Sequence, residues 1–205
     1  MQVDIDRSSL NSAKSLLFGV KEQSPKVMSR ALNATASKGK TLSNKEIRKQ
    51  VNLSAAYVRD HMTVKRASYR KLVASISTPS RGLLLSYYLY GVTGINQDTG
   101  RATSGALFKY KKGMFSIAAL DQPLRVKINP NQAPKTLDPT KWFILPRLKN
   151  SNLPALARRK NGKLKIHGPS LSQVYSDVIG EISGPLNDYL AEQMDKQIDS
   201  VLRGY

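Results

Sequence analysis

The sequence predicts an α+β fold: N-terminal helices, a central antiparallel β-sheet with extended loops, and C-terminal helices packing on the sheet. Three observations carry this. Apolar residues recur at helical spacing after Pro25 and again over 171–202. Between them, short β-branched or aromatic runs are separated by Gly, Pro, Asn and Thr. Finally, Asn161-Gly162 sits inside a run of Lys and Arg, and that pair tolerates the positive φ of a tight hairpin turn. Helices, then strands, then helices is the order of an α+β domain. One domain over 1–205 is expected, with a basic helical part (1–70), a β-rich part (71–168) with long loops at 91–105 and 129–140, and an acidic helical part (169–205).

Taken in order, Val3 and Ile5 alternate with Asp4 and Asp6 as in a half-exposed strand. Ser8 or Ser9 can cap a helix bearing Leu10, Ala13, Leu16 and Leu17, with Gly19 interrupting it. Pro25 suits the first turn of a longer helix whose face is Val27, Met28, Ala31, Leu32, Ala34 and Thr35, with Lys26, Arg30 and Lys38 opposite. Ser43 or Asn44 can cap a short helix through Val51, and Ser54 a second through Met62. Strands are expected over 71–77 and 81–90, joined by a turn at Thr78-Pro79-Ser80. Residues 91–105 read as a loop, 124–128 as a strand, and 129–140, with three prolines, as a connection without an element of its own. Strands follow at 142–145 and 155–159, then the hairpin return at 163–167. Two amphipathic helices close the chain, one over Leu171, Val174, Tyr175, Val178 and Ile179, and one after Gly184-Pro185 over Leu186, Tyr189, Leu190, Met194, Ile198, Val201 and Leu202.

Charge is the strongest functional signal. The chain has 33 Lys and Arg against 14 Asp and Glu in 205 residues, a formal charge of +19. Residues 21–72 hold 13 basic and 3 acidic side chains, 101–167 hold 15 and 2, and 168–205 reverse to 2 and 6. Such a chain repels itself unless something anionic lies beside it. A polyanionic partner is one solution; the acidic C-terminal segment meeting the basic surface of another copy is the other. Both point to binding and assembly. The absence of cysteine removes disulfides, thiolate metal sites and Cys nucleophiles. The first ten residues lack a signal-peptide pattern, and no apolar run is long enough to span a bilayer, so a soluble protein is expected.

Catalysis has little to work with. His61 and His167 have no nearby carboxylate cluster, and Asp60 points away from its neighbour on a helix. The six C-terminal acids are spaced like the polar side of a helix, a pattern that does not require oxygens to converge on a metal. No enzyme, cofactor or metal site is expected. Residues 44–62 fit a helix-turn-helix: Asn52 takes the tight turn, Ile47, Val51, Leu53 and Val58 the apolar positions, and Ala55, Ala56 and Arg59 a base-reading helix. Against that, Arg48 stands where a small residue lets the helices close, and His61 where an apolar one belongs. A DNA-binding regulator is thus the alternative function. The hairpin Arg158-Arg159-Lys160-Asn161-Gly162-Lys163-Leu164-Lys165 interleaves no aromatics, so it is suited to phosphates and not to stacking on bases.

The order of segments resembles the minor tail protein Z, or tail completion, family of long-tailed bacteriophages. The resemblance rests on Arg30-Ala31-Leu32-Asn33-Ala34-Thr35-Ala36, on Tyr57-Val58-Arg59-Asp60 followed by Val64-Lys65-Arg66-Ala67-Ser68, and on the basic hairpin followed by Gly168-Pro169-Ser170 and the C-terminal helical stretch. Residues 79–150 depart most. The resemblance implies a virion protein, made in the host cytoplasm, that completes the head-proximal end of the tail and serves head–tail joining and passage of the genome end. It implies as partners other copies in a ring, tail terminator, tail tube, tape measure and neck proteins, and duplex DNA held by non-specific electrostatics, with no membrane. On that reading Arg158, Arg159, Lys160, Lys163 and Lys165 face DNA or the tail lumen, and Leu186, Tyr189, Leu190 and Ile198 pack on the body or a neighbouring subunit.

Overall fold

The computed structural model describes residues 23–90, 115–116, 123–147, 154–160, 163–165 and 167–203. The first strand and helix expected before Gly19, the 91–105 loop and the turn residues Asn161 and Gly162 lie outside them. The architecture is α+β, as predicted. The chain forms two compact units: Met1–Asn44, His61–Thr78 and Tyr175–Tyr205 in one, Lys45–Asp60 and Pro79–Val174 in the other.

Helix α1, Ser24–Gln50, supplies the first unit up to Asn44. Pro25 lies in its first turn, where a missing N–H costs nothing. Val27, Met28, Ala31, Leu32, Thr35 and Ala36 are buried on one face. The expected break near residue 43 does not occur. Ser43 is buried inside the helix, and its hydroxyl donates to the Gly39 carbonyl at 2.7 Å instead of capping a new N-terminus. Thr35, Ser37 and Thr41 likewise donate to carbonyls four residues back. These local bonds satisfy hydroxyls that would otherwise disfavour a helix interior.

Strands β1, Thr63–Lys65, and β2, Ser75–Ser77, pair antiparallel with Val64 opposite Ile76. β1 was not anticipated, and the strand expected over 71–77 shrinks to its last three residues. The reason lies in the connection between them, where alternation is absent and Ala67 and Ala74 turn inward. A two-stranded ribbon is marginal alone; this one leans on the helices. Helix α3 spans Leu171–Leu202 without a break, with Pro185 inside it, so the two C-terminal helices of the sequence reading are one. Tyr175, Val178, Ile182, Leu186, Leu190 and Met194 are buried along it. The proline removes one helical hydrogen bond at an exposed position, and the buried stripe continues on both sides of it. Burying Leu186 and Leu190 is worth about 1.5–3 kcal/mol each, enough to hold the helix through the defect. In the core of this unit α3 packs on α1: Leu190 and Met194 join Val27, Met28, Ala31, Leu32, Ala36, Ala67 and Ala74, with Ile198 and Val201 at its margin. A Cβ on Gly39 would stand 3.1 Å from Ile76 Cδ1 and 3.3 Å from Leu186 Cδ1, so the glycine admits both neighbours to the α1 surface.

In the second unit, α1 ends and α2, Ala55–Asp60, follows. Ser54 caps α2 as predicted, its Oγ accepting from the Tyr57 N–H at 3.1 Å. The strand expected over 81–90 is instead a 3-10 turn, Leu85–Tyr88, followed by a two-residue strand β3, Leu89–Tyr90. Leu85, Ser86, Tyr88 and Leu89 are all buried, which alternation along an exposed-face strand cannot achieve. β3 pairs with β5, Arg125–Val126, which pairs with β6, Lys135–Thr136, a short strand inside the Pro-rich connection where none was expected. β4, Phe115–Ser116, β7, Trp142–Arg147, β8, Pro154–Lys160, and β9, Lys163–Lys165, form the other sheet, all antiparallel in that order. Its register shifts between Leu145 and Arg147, around Pro146, which has no N–H to offer the ladder. Ahead of α3, Ser170 Oγ accepts from the Gln173 N–H while Gln173 Oε1 accepts from the Ser170 N–H, a reciprocal capping box.

Candidate functional site: segregated charged surfaces

The β8–β9 hairpin is built as its sequence demands. Lys160 pairs with Lys163, so two residues join the strands, and Arg158 pairs with Lys165 and Arg159 with Leu164. Side chains alternate along a strand and cross-strand partners share a face. The register therefore puts positions 158, 160, 163 and 165 on one face and 159 on the other. Arg158 also sits opposite Trp142 on β7; it is half-buried, and its Nε has no hydrogen-bond partner among the described residues. Where β9 runs out, the Leu156 N–H would lack a ladder partner. It donates to Ser86 Oγ at 3.0 Å instead, which ties the 3-10 turn to the strand.

Acidic charge gathers on α3, which carries six acids and one cation, Lys196. Among the described residues only Glu46, Asp60 and Asp138 are acidic elsewhere, and each of these is paired with a cation. Asp177, Glu181, Asp188, Glu192, Asp195 and Asp199 are all exposed. At 3.6 residues per turn they fall within an arc of about 60°. They make one file of carboxylates on the first unit, with Lys196 bonded to Glu192 at its border. Like charges three and four residues apart repel along a helix. Leu186 and Leu190 lie on the buried side of α3, Ile198 packs at the edge of the core, and Lys38 Nζ stands 5.5 Å above the Tyr189 ring.

A further basic feature lies between β1 and β2 and was not singled out from the sequence. Lys65, Arg66, Arg70 and Lys71 are exposed, and none makes an ion pair among the described residues. Tyr69 among them is 64% exposed and Val73 45%, the two most exposed large apolar side chains described. Arg70 lies 5.5 Å from the Tyr69 ring centroid. The segment is pinned at its base. Asn33 Nδ2 on α1 donates to the Ala67 carbonyl at 3.0 Å, and the Ala67 N–H donates to Asn33 Oδ1 at 2.8 Å. Ser68 and Lys71 exchange backbone hydrogen bonds across the turn, and Ala67 and Ala74 are buried at its two ends. The sequence signal was the alternation Arg66-Ala67-Ser68-Tyr69-Arg70-Lys71, an aromatic inside a basic run.

The residues of the helix-turn-helix reading fall on a short element. α2 has six residues; Ala55 is exposed, Ala56 half-buried, and Arg59 is engaged with Asp60 at 3.3 Å. Beside it, Arg48, Asn52, Leu53, Ser54, Tyr57, Tyr87 and Leu89 line a cleft of about 230 Å³. The Tyr57 and Tyr87 rings meet at a tilt of 49° with centroids 4.9 Å apart, and burial, then the neighbouring Tyr87 and Tyr88, pushes the Tyr57 hydroxyl well above its ordinary pKa. The cleft holds no acid–base pair. Among the described residues no cluster of three or more His, Asp or Glu could hold a metal, and no helix is long and apolar enough to cross a membrane.

Against known proteins, the chain matches the family model described as prophage minor tail protein Z over residues 9–205. No curated protein and no solved structure matches it.

Proposed function

Since the chain belongs to the prophage minor tail protein Z family of phage tail structural proteins, we propose that it completes the head-proximal end of the tail and helps join tail to head. In this role it acts without catalysis, and copies assemble side by side around the path of the genome end. The observation that carries this reading is the separation of charge: carboxylates in one file on α3, cations on the β8–β9 hairpin and along α1. Subunits in a closed ring meet through unlike patches, so each copy needs two complementary surfaces. A surface beside passing DNA needs positive charge without base reading, because phosphate contacts position and do not specify. The hairpin cations Arg158, Lys160, Lys163 and Lys165 suit the DNA side, with Arg159 on the opposite face. Tail terminator, tube, tape measure and neck proteins are the neighbours this position implies.

The test is complementation of a phage lacking the protein with Arg158, Lys160, Lys163 and Lys165 changed to Gln. Tails joined to heads, counted by electron microscopy, and packaged DNA retained should both fall, while the purified variant keeps its far-UV circular dichroism. Fully infectious particles from that variant would remove the electrostatic role.

A further inference from the structure

We infer that the β1–β2 connection is a binding site for single-stranded nucleic acid, with the Tyr69 ring as a stacking platform and Lys65, Arg66, Arg70 and Lys71 as its phosphate contacts. This goes beyond the duplex-facing hairpin, which lies in the other unit and has no aromatic among its cations.

The argument begins with what is costly about the segment. Four cations stand within seven residues with no acid among them, and among the described residues no carboxylate pairs with them. A tyrosine ring and a valine are left in water beside them. A floppy loop would spread that charge and fold the ring away. Here the segment is held out by the Asn33 clamp, the Ser68–Lys71 turn and the two buried alanines. Its geometry is set before any partner arrives, which lowers the entropy cost of binding.

The partner must then offer negative charge and a flat apolar face together. The acidic file of α3 on a second copy offers chiefly the first: the exposed apolar groups beside it are the small Pro185 and Ala191, with no broad flat face to lie on the Tyr69 ring. Duplex DNA presents phosphates but hides its base faces within the stack. An unpaired strand presents both at once, which is the combination of backbone cations and exposed aromatics used for sequence-blind single-strand binding. Arg70, close to the ring already, adds a cation next to the stacked base.

The test uses the full chain and fluorescence anisotropy with a labelled oligothymidine of about 12 nucleotides and a duplex of the same length, across a salt series. Tyr69→Ala is expected to weaken single-strand binding roughly 5- to 100-fold while leaving duplex binding within about twofold, and Tyr69→Trp to retain it. Arg66→Gln with Arg70→Gln is expected to weaken both ligands and to flatten the salt dependence. Tyr69 is exposed, so melting of Tyr69→Ala should match the parent. Single-strand affinity unchanged in Tyr69→Ala, or equal loss for both ligands, overturns the inference. So does a change in oligomeric state by sedimentation velocity with single-strand binding intact, which would make the tip a protein-docking patch. These outcomes are independent of the tail-joining role, which stands or falls on particle assembly.

Discussion

Asn33→Ala is the perturbation that bears most directly on how this chain is put together. Asn33 sits on α1 and bonds both backbone groups of Ala67, 34 residues away, at 3.0 and 2.8 Å. Each bond contributes about 1 kcal/mol net, and a backbone group left unpaired away from water costs about 1–3 kcal/mol. Ala67 is buried, so water replaces the lost partner poorly. The expected loss is about 2–4 kcal/mol in the first unit's unfolding, measured by urea denaturation followed by circular dichroism. Asn33→Asp keeps the acceptor for the Ala67 N–H but loses the donor to its carbonyl, and should fall between parent and alanine variant. The tip should also loosen, so trypsin should cut after Arg66, Arg70 and Lys71 faster in Asn33→Ala. A loss under about 0.5 kcal/mol together with unchanged cleavage would refute the clamp as the device that holds the tip out.

Three further outcomes follow from the packing. Gly39→Val should destabilise by about 1–3 kcal/mol, because its side chain meets Ile76 and Leu186 at under van der Waals distance; a neutral effect on the melting temperature would contradict that close approach. Pro185→Ala should raise the melting temperature, since it restores an N–H to the Glu181 carbonyl in an exposed turn of α3, and a fall would mean the proline is needed for the helix path. His167 is held below the ordinary histidine pKa by partial burial and then by Arg81. A depressed pKa favours the neutral form in the folded state, so this contribution is full above about pH 6.5 and is lost as pH falls through the ordinary value toward the folded one. His167→Gln should therefore flatten the parent's stability profile as pH falls below about 6.5, read by thermal melts; identical slopes would count against it.

Much of this was legible in the residues. The α1 face after Pro25, the Ser54 cap and the basic hairpin could be read directly because each depends on neighbours within a few positions. The errors share one cause. Ser43 and the Gly184-Pro185 pair look like helix punctuation, and local propensity says the chain should break there. Packing and local bonding overrule it: Ser43 bonds back along its own helix, and the α3 core stripe runs on past Pro185. The basic–aromatic tip was missed for a related reason. Its letters are in the chain, but that Tyr69 stays in water depends on Asn33 far upstream. Two of the motif segments that suggested the family, around Asn33 and around Ala67, are joined by this clamp.

The order in which the first unit acquires its parts has a consequence in time. Its core brings Val27 and Met28 together with Leu190 and Met194, about 160 residues later in synthesis. Closing so long a loop is slow, and it cannot begin until the C-terminal helix has left the ribosome. The second unit holds most of its strands in one continuous stretch and can form while the chain is still growing. Until α3 docks, α1 exposes an apolar stripe and the β1–β2 ribbon has nothing to lean on. Chains shortened before Leu190 should therefore be drawn into aggregates or degraded, so that only chains carrying α3 would be available for assembly.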